Sequence, residues 1–222
     1  MGFSHLSLAG TAPENIQANE ARALASGADD VLLAAKSYPS LEEASRPFQW
    51  IFGLTSRDRE FGPPAISLAQ ACKMALQAIH SGQNVAFLFG PERTGLENED
   101  LDYCTHRVWI DANPIYPSLN LAQAVMVCAY EMRKTLQEYQ AMSASGMADL
   151  PVHPLIVERA SQEAVNAALT HLQEGLVAIG YLDPENPKKL MPRLRALFDR
   201  AGLQKEEIDL LRGIAKLMIL KK

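Results

Sequence analysis

Two short segments of the chain carry glycine and polar residues at a spacing suited to binding a ligand. The first is Gly90–Leu96 (Gly-Pro-Glu-Arg-Thr-Gly-Leu), in which two glycines frame Glu92 and Arg93. It directly follows Val85–Phe89, an apolar run typical of a buried parallel strand. Ligands of open α/β sheets bind at the carboxyl ends of strands, and glycines let the backbone approach a flat ligand closely. A polar loop with two turn glycines explains the same residues equally well.

The second segment is Asp111–Leu121 (Asp-Ala-Asn-Pro-Ile-Tyr-Pro-Ser-Leu-Asn-Leu), which joins a predicted strand to a long predicted helix. Pro117 suits the entry to a helix and Ser118 is a favourable N-cap, so a helix start alone accounts for them. Asn120 would then lie in the first turn, where Ala or Glu is preferred. Backbone N–H groups at a helix start can hold a polar ligand. We therefore consider Ser118 and Asn120 candidate binding residues.

Several common active-site motifs are missing from the sequence. It contains no GxGxxG, no GxxxxGK[ST] and no GxSxG pattern, which disfavours a dinucleotide fold, a P-loop and an α/β-hydrolase. Its five histidines show no metal-ligand spacing. Cys72, Cys104 and Cys128 form no CxxC pair, so neither a metal site nor a disulfide framework is expected.

The elements that must position the two segments alternate between strand and helix in the first half of the chain, which predicts an α/β fold with a mainly parallel sheet. The predicted strands are His5–Gly10, Phe48–Leu54, Val85–Phe89 and Val108–Ile110, and the predicted helices between them are Asn19–Ala25, Leu41–Ser45 and Leu68–Ile79. From Ser118 the apolar period changes to 3.6. A stripe through Val125 and Met132 predicts a helix of about six turns.

The second half of the chain divides at a stretch rich in Ser, Ala, Gly and Pro. We predict an α/β domain over residues 1–141, a linker over 142–154 and a small all-helical domain over 155–222. Helical spacing of leucines around Leu169, Leu194 and Leu211 supports the last of these.

Charge is distributed unevenly along the chain. The net charge is −5, but residues 188–222 carry ten Lys and Arg against four Asp and Glu. A basic end can attract phosphates, although from charge alone a solvated helical surface is the more ordinary reason for it. Apolar runs are too short to span a bilayer, and the first residues lack the features of a secretion signal. We expect a cytoplasmic protein that does not associate with membranes.

Taken together, the two segments resemble motifs two and three of the SpoU (SPOUT, TrmH-like) family of RNA ribose 2′-O-methyltransferases. The matching patterns are Gly-x-Glu-x-x-Gly-Leu at 90–96 and Asn-Pro-x-x-x-Ser-Leu-Asn at 113–120. The most similar branch is the bacterial one that methylates cytidine or uridine 32 in the tRNA anticodon loop. The resemblance covers nearly the whole chain, including Thr55–Arg57 and the helical tail around 190–213.

The resemblance implies a parallel-sheet domain tied in a trefoil knot, followed by a small helical domain. It implies a homodimer, in which the helix from Ser118 packs against the second subunit, and methyl transfer from S-adenosyl-L-methionine to RNA, tRNA more than rRNA, without a metal. The residues that it assigns to cofactor binding are Leu54, Thr55, Ser56, Gly90, Gly95, Ile110, Ser118, Leu119 and Asn120, with Glu92 in support.

One part of the family pattern has no counterpart here. The motif-one arginine and its partner asparagine precede the Met-Gly-Phe stretch in the family, so the catalytic group of this chain is unknown. Arg57 and Arg93 match other positions and are not assigned to that role. We expect the sequence to begin inside a longer natural protein. The alternatives are a non-catalytic knotted dimer that binds the cofactor or RNA, a partner that completes the sheet, and an interaction protein that works through its helical tail.

Overall fold

The computed structural model describes residues 1–11, 19–144 and 159–220, which form two compact units, Met1–Pro47 and Phe48–Lys222. The predicted α/β fold with a parallel sheet is confirmed, because every strand pair in the described residues is parallel. Most of the predicted linker, 145–154, and residues 155–158 lie outside the described part of the chain. The division into domains therefore stays a prediction.

The first unit contains a two-stranded sheet of β1 (Ser7–Ala9) and β2 (Lys36–Tyr38). Its helices are α1 (Asn19–Leu24), α2 (Asp29–Leu33) and α3 (Leu41–Ser45). Helix α3 begins as predicted, since the backbone N–H of Glu43 donates to the Ser40 hydroxyl at 3.2 Å. The sequence pattern does not reveal β2 or α2, because three to five residues are too few to display a period.

The second unit begins with a four-stranded sheet in the order β4-β6-β3-β5. The strands are β3 (Trp50–Leu54), β4 (Ala65–Ser67), β5 (Val85–Phe89) and β6 (His106–Trp109), and the helices among them are α4 (Leu68–His80), α5 (Asn98–Leu101) and α6 (Leu121–Ala144). Strand β5 has the predicted bounds, but the expectation that it is buried is wrong, since all five of its residues are half-buried. Among the described strands it pairs with β3 alone, at the end of the sheet.

Side chains of the central strand β3 alternate between two cores. Trp50 and Phe52 belong to the cluster that α4 and α6 complete, whereas Ile51 packs on the opposite face with Leu101 and its neighbours. Gly53 shares the face of Ile51, where a Cβ atom would lie 2.6 Å from the Cys104 sulfur. The close packing of this face therefore excludes a side chain at position 53.

The tail of the chain folds into three helices, as predicted: α7 (Gln162–Ala178), α8 (Leu190–Ala201) and α9 (Lys205–Leu220). Helix α7 is capped by Ser161, whose hydroxyl accepts a hydrogen bond from the Ala164 N–H at 3.2 Å. Helices α7 and α9 approach closely at Gly175, where an added Cβ would lie 3.1 Å from the Ala215 carbonyl oxygen.

A buried polar cluster joins the helical tail to the amino-terminal ends of β3 and β6. The Arg159 guanidinium lies 4.6 Å from the centroid of the Trp50 ring, on which His106 also stacks at 5.8 Å. Asp199 of α8 is only 5% exposed, and burial raises its pKa to about 7 although Arg195 opposes the shift. Burial likewise lowers the pKa of His106 to about 4. Both groups therefore favour their neutral forms in the folded chain.

Replacing Asp199 by Asn should remove a loss of stability that develops as pH rises from about 4 to 7. The folded chain holds a proton on Asp199 up to about pH 7, whereas the unfolded chain releases it near pH 3.9, so this carboxyl destabilises the fold increasingly as pH rises between those values. We expect Asp199→Asn to raise the free energy of unfolding by about 1–3 kcal/mol above pH 7. Chemical denaturation at a series of pH values measures the gain.

The same series contains an internal control. His106 has a lowered pKa, so its contribution to stability is lost as pH falls from about 6.5 to 4. In the unmodified chain the Asp199 effect opposes that loss, and in Asp199→Asn it does not. The variant should therefore lose stability more steeply in acid. A gain of equal size at pH 4.5 and pH 8 would contradict the assignment.

Candidate functional site

Three loops of the second unit meet at one edge of the sheet and line a cleft of about 150 Å³. They meet because the parallel strands end level, with Leu54 in register with Phe89 on one side and with Val108 on the other. The lining residues come from segments 54–57, 89–96 and 108–124. Of the residues that the family resemblance assigns to the cofactor, eight line this cleft: Leu54, Thr55, Ser56, Gly90, Gly95, Ile110, Ser118 and Leu119.

The second loop, after β5, folds back on itself and depends on its two glycines for different reasons. A Cβ at Gly90 would lie 2.2 Å from the carbonyl carbon of Gly95, so crowding excludes any side chain there. Gly95 has open space around it but a φ of 63°, a conformation that L residues rarely adopt. Its N–H donates to the Pro91 carbonyl at 2.7 Å. The path of this loop therefore requires that position 90 carry no side chain and that position 95 adopt a left-handed backbone conformation.

Asn120 connects the second and third loops. Its side-chain N–H donates to a carboxylate oxygen of Glu92 at 3.0 Å, and its Oδ1 accepts from the backbone N–H of Ala122 at 3.0 Å. Asn120 is not itself among the residues that line the cleft, whereas Glu92 is. One amide group thus fixes the position of Glu92 and satisfies a donor of the first turn of α6.

The predicted start of this helix is wrong by two residues. Helix α6 begins at Leu121, and its capping side chain is that of Asn120 and not that of Ser118. Asn is as good an N-cap as Ser, and the sequence alone does not decide between two candidates two residues apart. Ser118 lies instead in the exposed third loop, where it lines the cleft.

Arg59 supports the cleft in a way that the sequence analysis missed. Its Nη2 donates to the Leu96 carbonyl at 2.6 Å and its Nη1 donates to the Asn98 side chain, so the first loop is held against the second. The sequence feature that could have pointed to Arg59 is the presence of a second arginine, after Arg57, shortly beyond the end of β3. Nothing in the sequence distinguishes it from Arg57, which lines the cleft with an exposed side chain.

The cleft has an apolar base and a charged rim. Val108 is fully buried and Leu54 and Ile110 are half-buried, whereas Glu92 and Arg93 are exposed at the opening. Such a cleft suits a ligand with an apolar body and charged ends. Within residues 1–11, 19–144 and 159–220, no three His, Cys, Asp or Glu side chains are grouped to hold a metal ion. No helix in that part of the chain is long and apolar enough to cross a membrane.

Two family models match the chain in consecutive regions. The SpoU rRNA methylase family matches residues 1–130, and the C-terminal domain of tRNA methyltransferase TrmJ matches residues 163–222. The chain is 36% identical to the tRNA (cytidine/uridine/adenosine-2′-O-)-methyltransferase TrmJ of Pseudomonas aeruginosa, over 96% of its own length and 82% of that relative. It is 35% identical to the tRNA (cytidine/uridine-2′-O-)-methyltransferase TrmJ of Escherichia coli K12, over 88% and 77%.

Solved structures give the same result. The crystal structure of TrmJ from Z. mobilis ZM4 matches with a TM-score of 0.72 and 31% identity, covering 100% of this chain and 88% of that one. A probable methyltransferase from Bordetella pertussis Tohama I matches with a TM-score of 0.56 and 40% identity, over 61% and 81%. With its motif-bearing loops joined in one cleft and more than half of its length matched by the family model, this chain belongs to the SpoU rRNA methylase family.

Proposed function

We propose that this chain transfers a methyl group from S-adenosyl-L-methionine to a ribose 2′-hydroxyl of tRNA. The observation that carries the proposal is the convergence of segments 54–57, 89–96 and 108–124 on one cleft, in a chain whose relatives are named tRNA 2′-O-methyltransferases. Those relatives are matched over most of their length. For this reason the alternative of a non-catalytic binding dimer is not favoured.

The chemistry of the cleft lining suits this donor. S-adenosyl-L-methionine combines a flat aromatic adenine ring with a charged sulfonium and a charged amino-acid end. It supplies the methyl group when bound. The apolar base of the cleft around Val108 and Ile110 suits the flat part, and the Glu92 carboxylate on the rim is suited to positive charge. We assign donor contacts to Leu54, Thr55, Ser56, Gly90, Gly95, Ile110, Ser118 and Leu119, and we assign Glu92 and Asn120 to holding the second and third loops together.

The acceptor hydroxyl is a weak nucleophile near neutral pH, so its attack requires close positioning and a group that accepts its proton. The same hydroxyl is what distinguishes RNA from DNA. Arg57 and Arg93 lie at the cleft, where the planar guanidinium group offers several hydrogen-bond donors in a geometry that matches phosphate. We therefore assign them to substrate binding and leave the proton acceptor unassigned.

The first half of α6 supports a homodimer. The sequence pattern places Val125 on the buried stripe of this helix, yet Val125 is 42% exposed, and Met126 and Tyr130 are 56% and 57% exposed. The buried residues of α6 begin only at Cys128. Neighbouring exposed apolar side chains of this kind mark a surface for a protein partner, and we assign this surface to a second copy of the chain.

We also infer that the chain forms the trefoil knot of the family and acts in the cytoplasm, where tRNA is found.

Methyl transfer is tested directly with labelled S-adenosyl-L-methionine and an unmodified tRNA transcript. We expect label at a ribose 2′-oxygen, which makes the adjacent phosphodiester resistant to alkali because the hydroxyl that would attack it is blocked. A DNA strand of the same sequence should receive no label, since it lacks that hydroxyl. Absence of label from every tRNA tried, or label on a base, would contradict the proposed reaction.

The role of the Glu92–Asn120 hydrogen bond is tested by measuring donor affinity in Glu92→Ala, Asn120→Ala and the double variant. Each single change should weaken binding by about three- to tenfold, because each releases the contact between the second and third loops. The double variant should bind no worse than the weaker single variant, since both lose the same bond.

Asn120→Ser separates that bond from helix capping. Serine can still accept from the Ala122 N–H but is too short to reach Glu92 as asparagine does. We expect the same loss of donor affinity as in Asn120→Ala. Wild-type affinity in Asn120→Ser would mean that the cap alone matters, and the assigned bond would be dropped.

A further inference from the structure

The start of α8 contacts the loop that follows β3 through a group of charged and aromatic side chains. The Lys189 ammonium donates to both carboxylate oxygens of Glu60, at 2.6 and 2.8 Å. It also lies 5.5 Å from the centroid of the Phe61 ring, and the Arg193 guanidinium lies 6.0 Å from the same centroid. Two cations thus lie over one ring, and one of them, Lys189, is paired with a carboxylate.

The ion pair at the centre of this group is easily exchanged. The side chains of Lys189 and Glu60 are 57% and 64% exposed. Exposed pairs contribute little net stability, because water and salt screen the attraction and two long side chains are restrained. A second anion of higher charge can therefore compete with Glu60 for the lysine.

This group lies beside the candidate cleft. Glu60 follows Arg57 by three residues, a length of chain that spans at most about 11 Å, and Arg57 lines the cleft. The intervening Arg59 is held to the Leu96 carbonyl, so the loop is fixed and not free to carry Glu60 away. Lys189 and Arg193 consequently bring the basic end of the chain close to the site of the reaction.

We propose that Lys189 and Arg193 form a docking site for a backbone phosphate of the substrate RNA, and that Glu60 occupies this site in the free protein. A carboxylate offers two oxygens to the ammonium much as a phosphate does. When RNA binds, the lysine exchanges the Glu60 carboxylate for a phosphate, while the Phe61 ring keeps both cations in place. The inference rests on the proposed function, because it requires a polyanionic substrate.

A purely structural ion pair and a competing ion pair predict opposite effects of removing the Glu60 charge on RNA affinity. If Glu60 and Lys189 served only to hold α8 against the loop, removing the carboxylate would leave RNA affinity unchanged or lower it. If Glu60 competes with phosphate, removing its charge abolishes both the competition and the repulsion of the incoming anion, so RNA affinity rises. The two readings therefore differ in the sign of the effect.

The experiment measures binding of an unmodified tRNA transcript to the full chain by fluorescence anisotropy at low salt. Glu60→Gln should bind about two- to fivefold more tightly than the unmodified protein, and Lys189→Gln should bind more weakly by a similar factor. Glu60→Gln combined with Lys189→Gln should bind no more tightly than Lys189→Gln alone. The gain should shrink as salt is added, because the charges are exposed.

Glu174→Gln is the matched control, since it removes the same charge from an exposed position on α7. It should change tRNA affinity much less than Glu60→Gln.

Equal tRNA affinities of Glu60→Gln and Glu174→Gln, or a gain in affinity that persists without Lys189, would overturn the docking site. If the unmodified chain methylates tRNA in that case, the proposed function stands. If it neither binds nor methylates tRNA, both proposals fail. Donor affinity should be the same in all variants, because none of the changed residues lines the cleft or forms the hydrogen bonds described between its loops.

Discussion

The register of three parallel strands is the constraint on which the site depends. Strands β3, β5 and β6 are in register near their carboxyl ends, where Leu54 lies beside Phe89 and Val108. The loops that follow these strands therefore leave the sheet at the same level. The level ends put three otherwise distant segments of sequence around one cleft. That register is in turn secured below the site, where the Thr105 hydroxyl donates to the Ile51 carbonyl at 3.0 Å inside the core. A slip of one residue would exchange the side chains of β3 between its two cores and separate the loops.

Local contacts then convert this convergence into a defined surface. Arg59 joins the first loop to the second, and Asn120 joins the second to the third. Neither residue needs to touch a ligand to affect its binding, because each fixes the distance between walls that do. The helical tail is attached at the opposite ends of the strands, where Arg159 covers Trp50, and again beside the cleft through Lys189. The tail is thus connected to both ends of the sheet.

The sequence was informative where a pattern is long or a motif is specific. Val85–Phe89 was predicted with the observed bounds, and the two motif segments identified most of the residues that line the cleft. The short elements β2, β4, α2 and α5 escaped because three to five residues carry no readable period. The half-exposed state of β5 and the role of Arg59 depend on which neighbour the folded chain supplies, and no local pattern encodes that. The choice of Asn120 over Ser118 as the cap depends on a backbone path that both residues permit.

The self-contacting loop at Gly90 and Gly95 has a consequence for how the site varies among related proteins. The path of this loop depends on its two glycines, and the Glu92 side chain between them adds the hydrogen bond to Asn120. Pro91 and Thr94 are exposed and can diverge while the outline of the wall is kept. A loop of this kind is retained when glycine is kept at positions 90 and 95. A comparison of side-chain chemistry alone would therefore overlook the two positions on which the path of this loop depends.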